Sequence, residues 1–136
     1  MILFSFQSGL AQDKTLKKAD KLFEYYAYSK AADEYIKYIS ETNDSQAKLK
    51  LAKCYVLMNR TTEAEAVYSQ LAKDGNMKPN AYKEYATILK MNGKYEEAKR
   101  FFKEYKKTDK EGLYYMRSCD FAIQAVNNPE NYELVK

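Results

Sequence analysis

Apolar residues recur at intervals of three and four along most of the chain, in short blocks divided by turn residues. That spacing predicts amphipathic helices rather than strands. Taken in order, the blocks predict helices over about Lys14–Tyr26 and Ser29–Glu41, Ser45–Met58 and Thr62–Lys73, Asn80–Asn92 and Tyr95–Lys107. The punctuation between them is helical too. Pro79 suits a first helical position, and Gly75 and Gly93 suit the left-handed residue that closes a helix. Thr62 with Glu65 three residues on reads as a capping box at the start of a helix.

The blocks repeat. Ala31, Ala64 and Ala98 stand 33 and 34 residues apart. The aromatic residue one turn later follows in step (Tyr35, Tyr68, Phe102), as does a small residue twelve positions earlier (Ala19, Ala52, Ala86). Packing explains the choice of residue. Two helices that cross closely need a small side chain at the crossing, and an aromatic one turn on fills the wedge beside it. A single hairpin cannot cover its own apolar face, so such units stack on their neighbours. The expected fold is all-α: a right-handed superhelical stack of three helix–turn–helix units (about 12–44, 45–78 and 79–108) with a C-terminal capping helix over 109–128.

This small–aromatic pattern resembles the tetratricopeptide repeat (TPR). The third unit carries it best, in Tyr82, Ala86, Gly93, Tyr95, Ala98 and Phe102. The second keeps Leu51, Ala52, Tyr55, Ala64 and Tyr68 but has Asn59 where glycine is common. The first departs most, with Thr15 and Lys18 in places usually held by Trp and Leu. The resemblance covers about residues 13–108 and implies a protein-binding module.

Both ends of the chain raise separate expectations. "MILFSFQSGLAQ" is apolar and uncharged and presents Gly9 and Ala11 at the positions signal peptidase requires, so residues 1–11 read as the remnant of a secretory signal cleaved after Ala11. Leu113, Met116, Phe121, Ala122 and Val126 give the closing helix an apolar side, and Asn127-Asn128-Pro129 stops it. The "NYELVK" that follows alternates like a strand and reads as the start of a linker or strand (129–136) leading to a further domain. With the Ala19–Tyr28 run, this layout resembles the N-terminal TPR region of OmpA-family periplasmic proteins of Bacteroidota. That resemblance implies a periplasmic protein associated with the outer membrane, a propeller and a peptidoglycan-binding domain downstream, and partners among type IX secretion and gliding complexes.

Composition changes this picture only by exclusion. Six Gly and Pro residues are too few for an all-β chain, and 14 Tyr with no Trp leave the core to Tyr, Leu and Ala. A net charge of +4, from 23 basic and 19 acidic residues, is spread along the chain, unlike the concentrated stripe of a nucleic-acid binder. Lys–Tyr interleaving keeps anionic-polymer binding as the alternative reading, and a purely structural spacer is a third. The chain has no His, which removes the commonest general base and metal ligand. No phosphate-cradling glycine motif or metal-spaced cluster occurs. Cys54 and Cys119 read as separate structural thiols. No enzyme and no cofactor is expected.

What remains is the groove. The family pattern implies that repeat positions 2, 5, 9 and 12 line its concave side. Here these are Asp20 and Phe23, then Leu49, Lys53 and Val56, then Asn80, Lys83, Thr87 and Lys90, with Arg117 extending the row. A basic line broken by apolar residues suits a protein partner with acidic groups and an apolar anchor, and membrane association only through that partner. One TPR subtype clamps a C-terminal carboxylate with Lys and Asn; the matching places hold Leu16, Asp20, Lys50, Asn80 and Glu84, so that clamp is largely missing.

Overall fold

Seven α-helices make up most of what the structure, a computed structural model, describes, namely residues 3–75 and 77–132. A first compact unit, Met1–Asn76, holds α1 (Leu3–Glu24), α2 (Tyr28–Thr42), α3 (Ser45–Leu57) and α4 (Thr61–Lys73). A second, Met77–Lys136, holds α5 (Pro79–Met91), α6 (Tyr95–Lys106) and α7 (Glu111–Asn127), followed by a 3-10 turn over Pro129–Tyr132. No strand occurs among the described residues.

Each hairpin turns on a left-handed residue at an equivalent place. Tyr26 (φ 60°), Asn59 (φ 58°) and Gly93 (φ 77°) stand between α1 and α2, α3 and α4, α5 and α6. Only glycine adopts this conformation without strain, and asparagine tolerates it. Tyrosine is the unexpected member of the series.

The landmarks of the repeat are the core. Ala19, Ala52 and Ala86 are fully buried, as are Ala31, Ala64 and Ala98; Tyr35, Tyr68 and Phe102 are at most 1% exposed. In the first unit α2 packs against both α1 and α3. Tyr35 there joins one cluster with Ala19, Ala31, Ala47, Leu51 and Cys54. In the second unit α6 lies against both α5 and α7, and Phe102 stacks on Tyr115 with ring centroids 5.0 Å apart. Gly112 is where α7 approaches α6 most closely, since a Cβ there would lie 2.6 Å from the Lys106 Cα.

Three local expectations need correction. The capping box at Thr62 does not form: α4 begins one residue earlier, with Arg60 at the N-cap and no side-chain cap, so Thr62 lies inside the first turn. On α7 the buried positions are Gly112 and Cys119, seven residues apart on one stripe, whereas Phe121 is 60% and Val126 66% exposed. Small residues, not large ones, let this helix approach α6. In the first unit, helix α1 continues unbroken through Gly9 and Ala11 from Leu3, so it starts well before Lys14. Of the stretch expected to be a strand, Asn131 and Tyr132 stand in the 3-10 turn, and residues 133–136 lie outside the described residues.

Candidate partner-binding surface

The predicted groove residues occupy one stripe on each first helix, opposite the buried stripe. On α3, Ala47, Leu51 and Cys54 are buried, while Leu49 is half-buried and Lys53 and Val56 are exposed. On α5, Ala81, Tyr85 and Ile88 are buried, Lys83 and Lys90 half-buried, and Asn80 and Thr87 exposed. Period 3.6 separates the two stripes, so the sequence pattern alone suffices to find them.

Within the first unit the stripe is tied by a carboxylate. Asp20 Oδ1 on α1 accepts from Lys50 Nζ on α3 at 2.7 Å and from the Tyr35 hydroxyl on α2 at 2.6 Å. Phe23, half-buried, meets Tyr28 edge-on at 5.4 Å and packs on the core cluster, as does Leu16. Apolar surface in this unit is thus offered at Val56 and Leu57, 38% and 53% exposed. Lys50 is the one lysine in a clamp position, and its ammonium is already paired with Asp20.

Within the second unit the ties run from α5 to α7. Lys83 Nζ reaches Glu111 Oε2 at 3.2 Å and sits over the rings of Tyr115 and Tyr105, 4.9 and 5.4 Å from their centroids. Tyr115 first, then Glu111, hold its ammonium above the ordinary lysine range. Lys90 Nζ donates to Ser118 Oγ at 2.8 Å. Much of the expected basic line therefore engages the chain's own residues.

These contacts also fix which side of α7 continues the stripe. Glu111 and Ser118 stand beside Lys83 and Lys90, and Glu111, Tyr114, Ser118 and Phe121 repeat the spacing of Asn80, Lys83, Thr87 and Lys90. The row passes through Tyr114 and Phe121, 71% and 60% exposed. Arg117, expected in the row, is exposed and lies one position round from Ser118. Sequence reasoning missed Tyr114 because its match to the repeat stopped at residue 108, before α7 could be put in register. Phe121 was assigned to the core because a lone aromatic on a helix usually goes there.

Two buried pairs have no counterpart in the sequence reading. Lys48, 2% exposed, bonds Asp74 at 2.7 Å. Glu34 accepts from Lys18 and Lys37 at 2.8 and 3.1 Å, and these lysines hold its carboxyl below the usual range. Both thiols are free and buried. Burial pushes Cys54 up to about 11 and raises Cys119 as well. A thiol so placed is a poor nucleophile. Among the described residues no group of His, Cys, Asp or Glu could hold a metal ion, and no helix is long and apolar enough to cross a membrane.

The geometry is that of a helical-repeat interaction domain, and solved structures share it. No protein-family model matches the chain, and no curated protein matches it. The first TPR domain of Spaghetti (RPAP3), bound to the HSP90 peptide SRMEEVD, is 19% identical with a TM-score of 0.71, over 82% of this chain and 92% of that one. The TPR domain of Sgt2 from Aspergillus fumigatus is 14% identical, TM-score 0.71, over 93% and 86%. The Yersinia enterocolitica type III secretion chaperone SycD, with a peptide of the translocator YopD, is 17% identical, TM-score 0.64, over 87% and 93%. At these identities the likeness establishes the fold, a TPR array.

Proposed function

We propose that this chain is a non-enzymatic scaffold that captures a segment of another protein on the open stripes of its first helices. One observation carries the reading: the stripe opposite the core presents apolar side chains (Val56, Tyr114, Phe121) in each unit, where a merely solvated face would be polar. Buried-core logic does not require these residues, and exposed apolar positions rimmed by charge mark interaction surfaces. Three-dimensional relatives printed as complexes with peptides support it. The finer reading places the chain in the cell envelope, docking a periplasmic or outer-membrane partner in type IX secretion, gliding or peptidoglycan-associated complexes. Cleavage after Ala11 would leave Gln12–Glu24, a first helix as long as the 13-residue α3 and α5.

A photo-crosslinking residue placed at Val56 or Thr87, and at Lys103 on α6 as control, tests the scaffold reading. Adducts to one discrete protein from the native cell are expected at the first two positions only; equal labelling at Lys103 would refute it. Mass spectrometry of the mature N-terminus tests the leader: a chain beginning at Gln12 is expected.

A further inference from the structure

The exposed aromatics of α7 are not explained by closing the repeat. The side of α7 that a further second helix would cover carries Arg117, Asp120 and Gln124, a polar surface suited to water. Tyr114 and Phe121 point elsewhere, along the row that Lys83 and Lys90 continue on α5. Seven residues separate the two rings, so they stand about 10 Å apart along the helix axis, leaving room for one apolar side chain between them.

The charge around that pair is one-sided. Glu111 is matched by Lys83, and Asp120 by Lys99 at 2.5 Å. Lys90 reaches a neutral hydroxyl, Ser118 Oγ, and Arg117 is exposed beside it. After internal pairing the local excess is two positive charges flanking two rings. Resting on the scaffold reading above, we propose that Tyr114 and Phe121 seat an apolar side chain within an acidic segment of another protein, whose carboxylates meet Lys90 and Arg117. The rings supply the desolvated anchor that dominates such interfaces, and the cations select and steer the segment. A chain terminus is not required, because no clamp for a terminal carboxylate is assembled.

The test uses the isotope-labelled full chain and three synthetic peptides: one with a central Phe among Asp and Glu, one with Ser for the Phe, one with Lys for the acids. The acidic Phe peptide is expected to shift the amide signals of Lys90, Tyr114, Arg117 and Phe121, and the two controls are not. The double variant Tyr114→Ser, Phe121→Ser should bind about tenfold more weakly, the loss usual for a central aromatic anchor, with an unchanged thermal midpoint since both residues are exposed. Arg117→Glu should weaken binding and flatten its salt dependence. Equal binding of the Lys peptide, binding untouched by the double variant, or self-association through these rings would each overturn the proposal. If crosslinks at Val56 persist in the double variant while peptide binding was never there, this assignment fails and the scaffold reading stands; if both vanish in the unmodified chain, both fail.

Discussion

Asp20 accepts a hydrogen bond from the Tyr35 hydroxyl at 2.6 Å while its same oxygen holds Lys50 at 2.7 Å. One carboxylate thereby joins α1, α2 and α3, and it does so over a phenol whose residue is fully buried. Removing the acceptor leaves a buried hydroxyl unpaired, which costs more than losing the bond. Asp20→Ala is expected to lower stability by about 2 kcal/mol and Tyr35→Phe by about 1 kcal/mol. Urea denaturation of both and of the double variant checks this; the double should cost less than the sum, because the two residues share one interaction.

Lys48 and Asp74 give a second asymmetry. The ammonium is almost wholly enclosed while the carboxylate keeps about a third of its surface. Truncating Asp74 strands a charge in the interior, whereas replacing Lys48 with Met removes the charge and keeps the volume. Asp74→Ala should cost about 3 kcal/mol and Lys48→Met under about 1 kcal/mol. Similar losses in the two variants, measured by denaturant midpoint, would show that the pair is not enclosed.

Most of the fold was legible because its determinants are local and periodic. Alanines at the helix crossings, an aromatic one turn later, and Gly93 at a left-handed turn each name their role by residue type. The helix ends fell within a residue or two of expectation from Ser45 to Lys106, where repeats could be compared with one another. What escaped is what the repeat does not encode. Whether Lys83 faces solvent or two tyrosine rings depends on α7, whose Gly112 shifts its register against α6. Nor does a sequence say that Lys48, a residue seldom buried, has a carboxylate waiting at the end of α4.

Lys83 also separates charge from stability. Lys83→Glu sets a like charge against Glu111 and takes the cation from two rings. It should therefore destabilise the chain by about 2 kcal/mol, whereas Lys90→Glu, which loses one bond to a serine, should cost under about 1 kcal/mol. Thermal melts distinguish them. A binding loss in Lys83→Glu alone would then report unfolding, so Lys53 and Lys90 are the positions at which charge reversal reads partner capture.

Backbone strain offers an opposite sign at two sites. Tyr26 holds φ 60° and is 79% exposed. Tyr26→Gly should stabilise the chain by about 1 kcal/mol, since the left-handed region is strained for a side chain and no core contact is lost. Gly112→Ala should do the reverse, by more than about 2 kcal/mol, because the new methyl group meets the Lys106 backbone and not a movable side chain. A neutral result at Gly112 would mean that α6 and α7 slide apart without loss.

The buried acids predict how the fold fails in alkali. Burial first, then the Asp20 hydrogen bond, raise the Tyr35 phenol above its ordinary value of 10.0, and burial lifts Cys54 from 9.0 to about 11. Both groups stay protonated in the folded chain at pH values where the unfolded chain has released the proton. The unfolded state then binds fewer protons, so stability falls as pH rises. The contribution is whole below about pH 9 and is lost from Cys54 between about 9 and 11, with Tyr35 adding to the fall from about 10 upward. The urea midpoint should accordingly stay level through neutral pH and then decline, and Cys54→Ala with Tyr35→Phe should decline less steeply from a lower start. Thiol reagents should leave Cys54 and Cys119 unmodified until denaturant is added. Rapid labelling of the native chain, or an unchanged alkaline slope in the double variant, would place the loss on other groups.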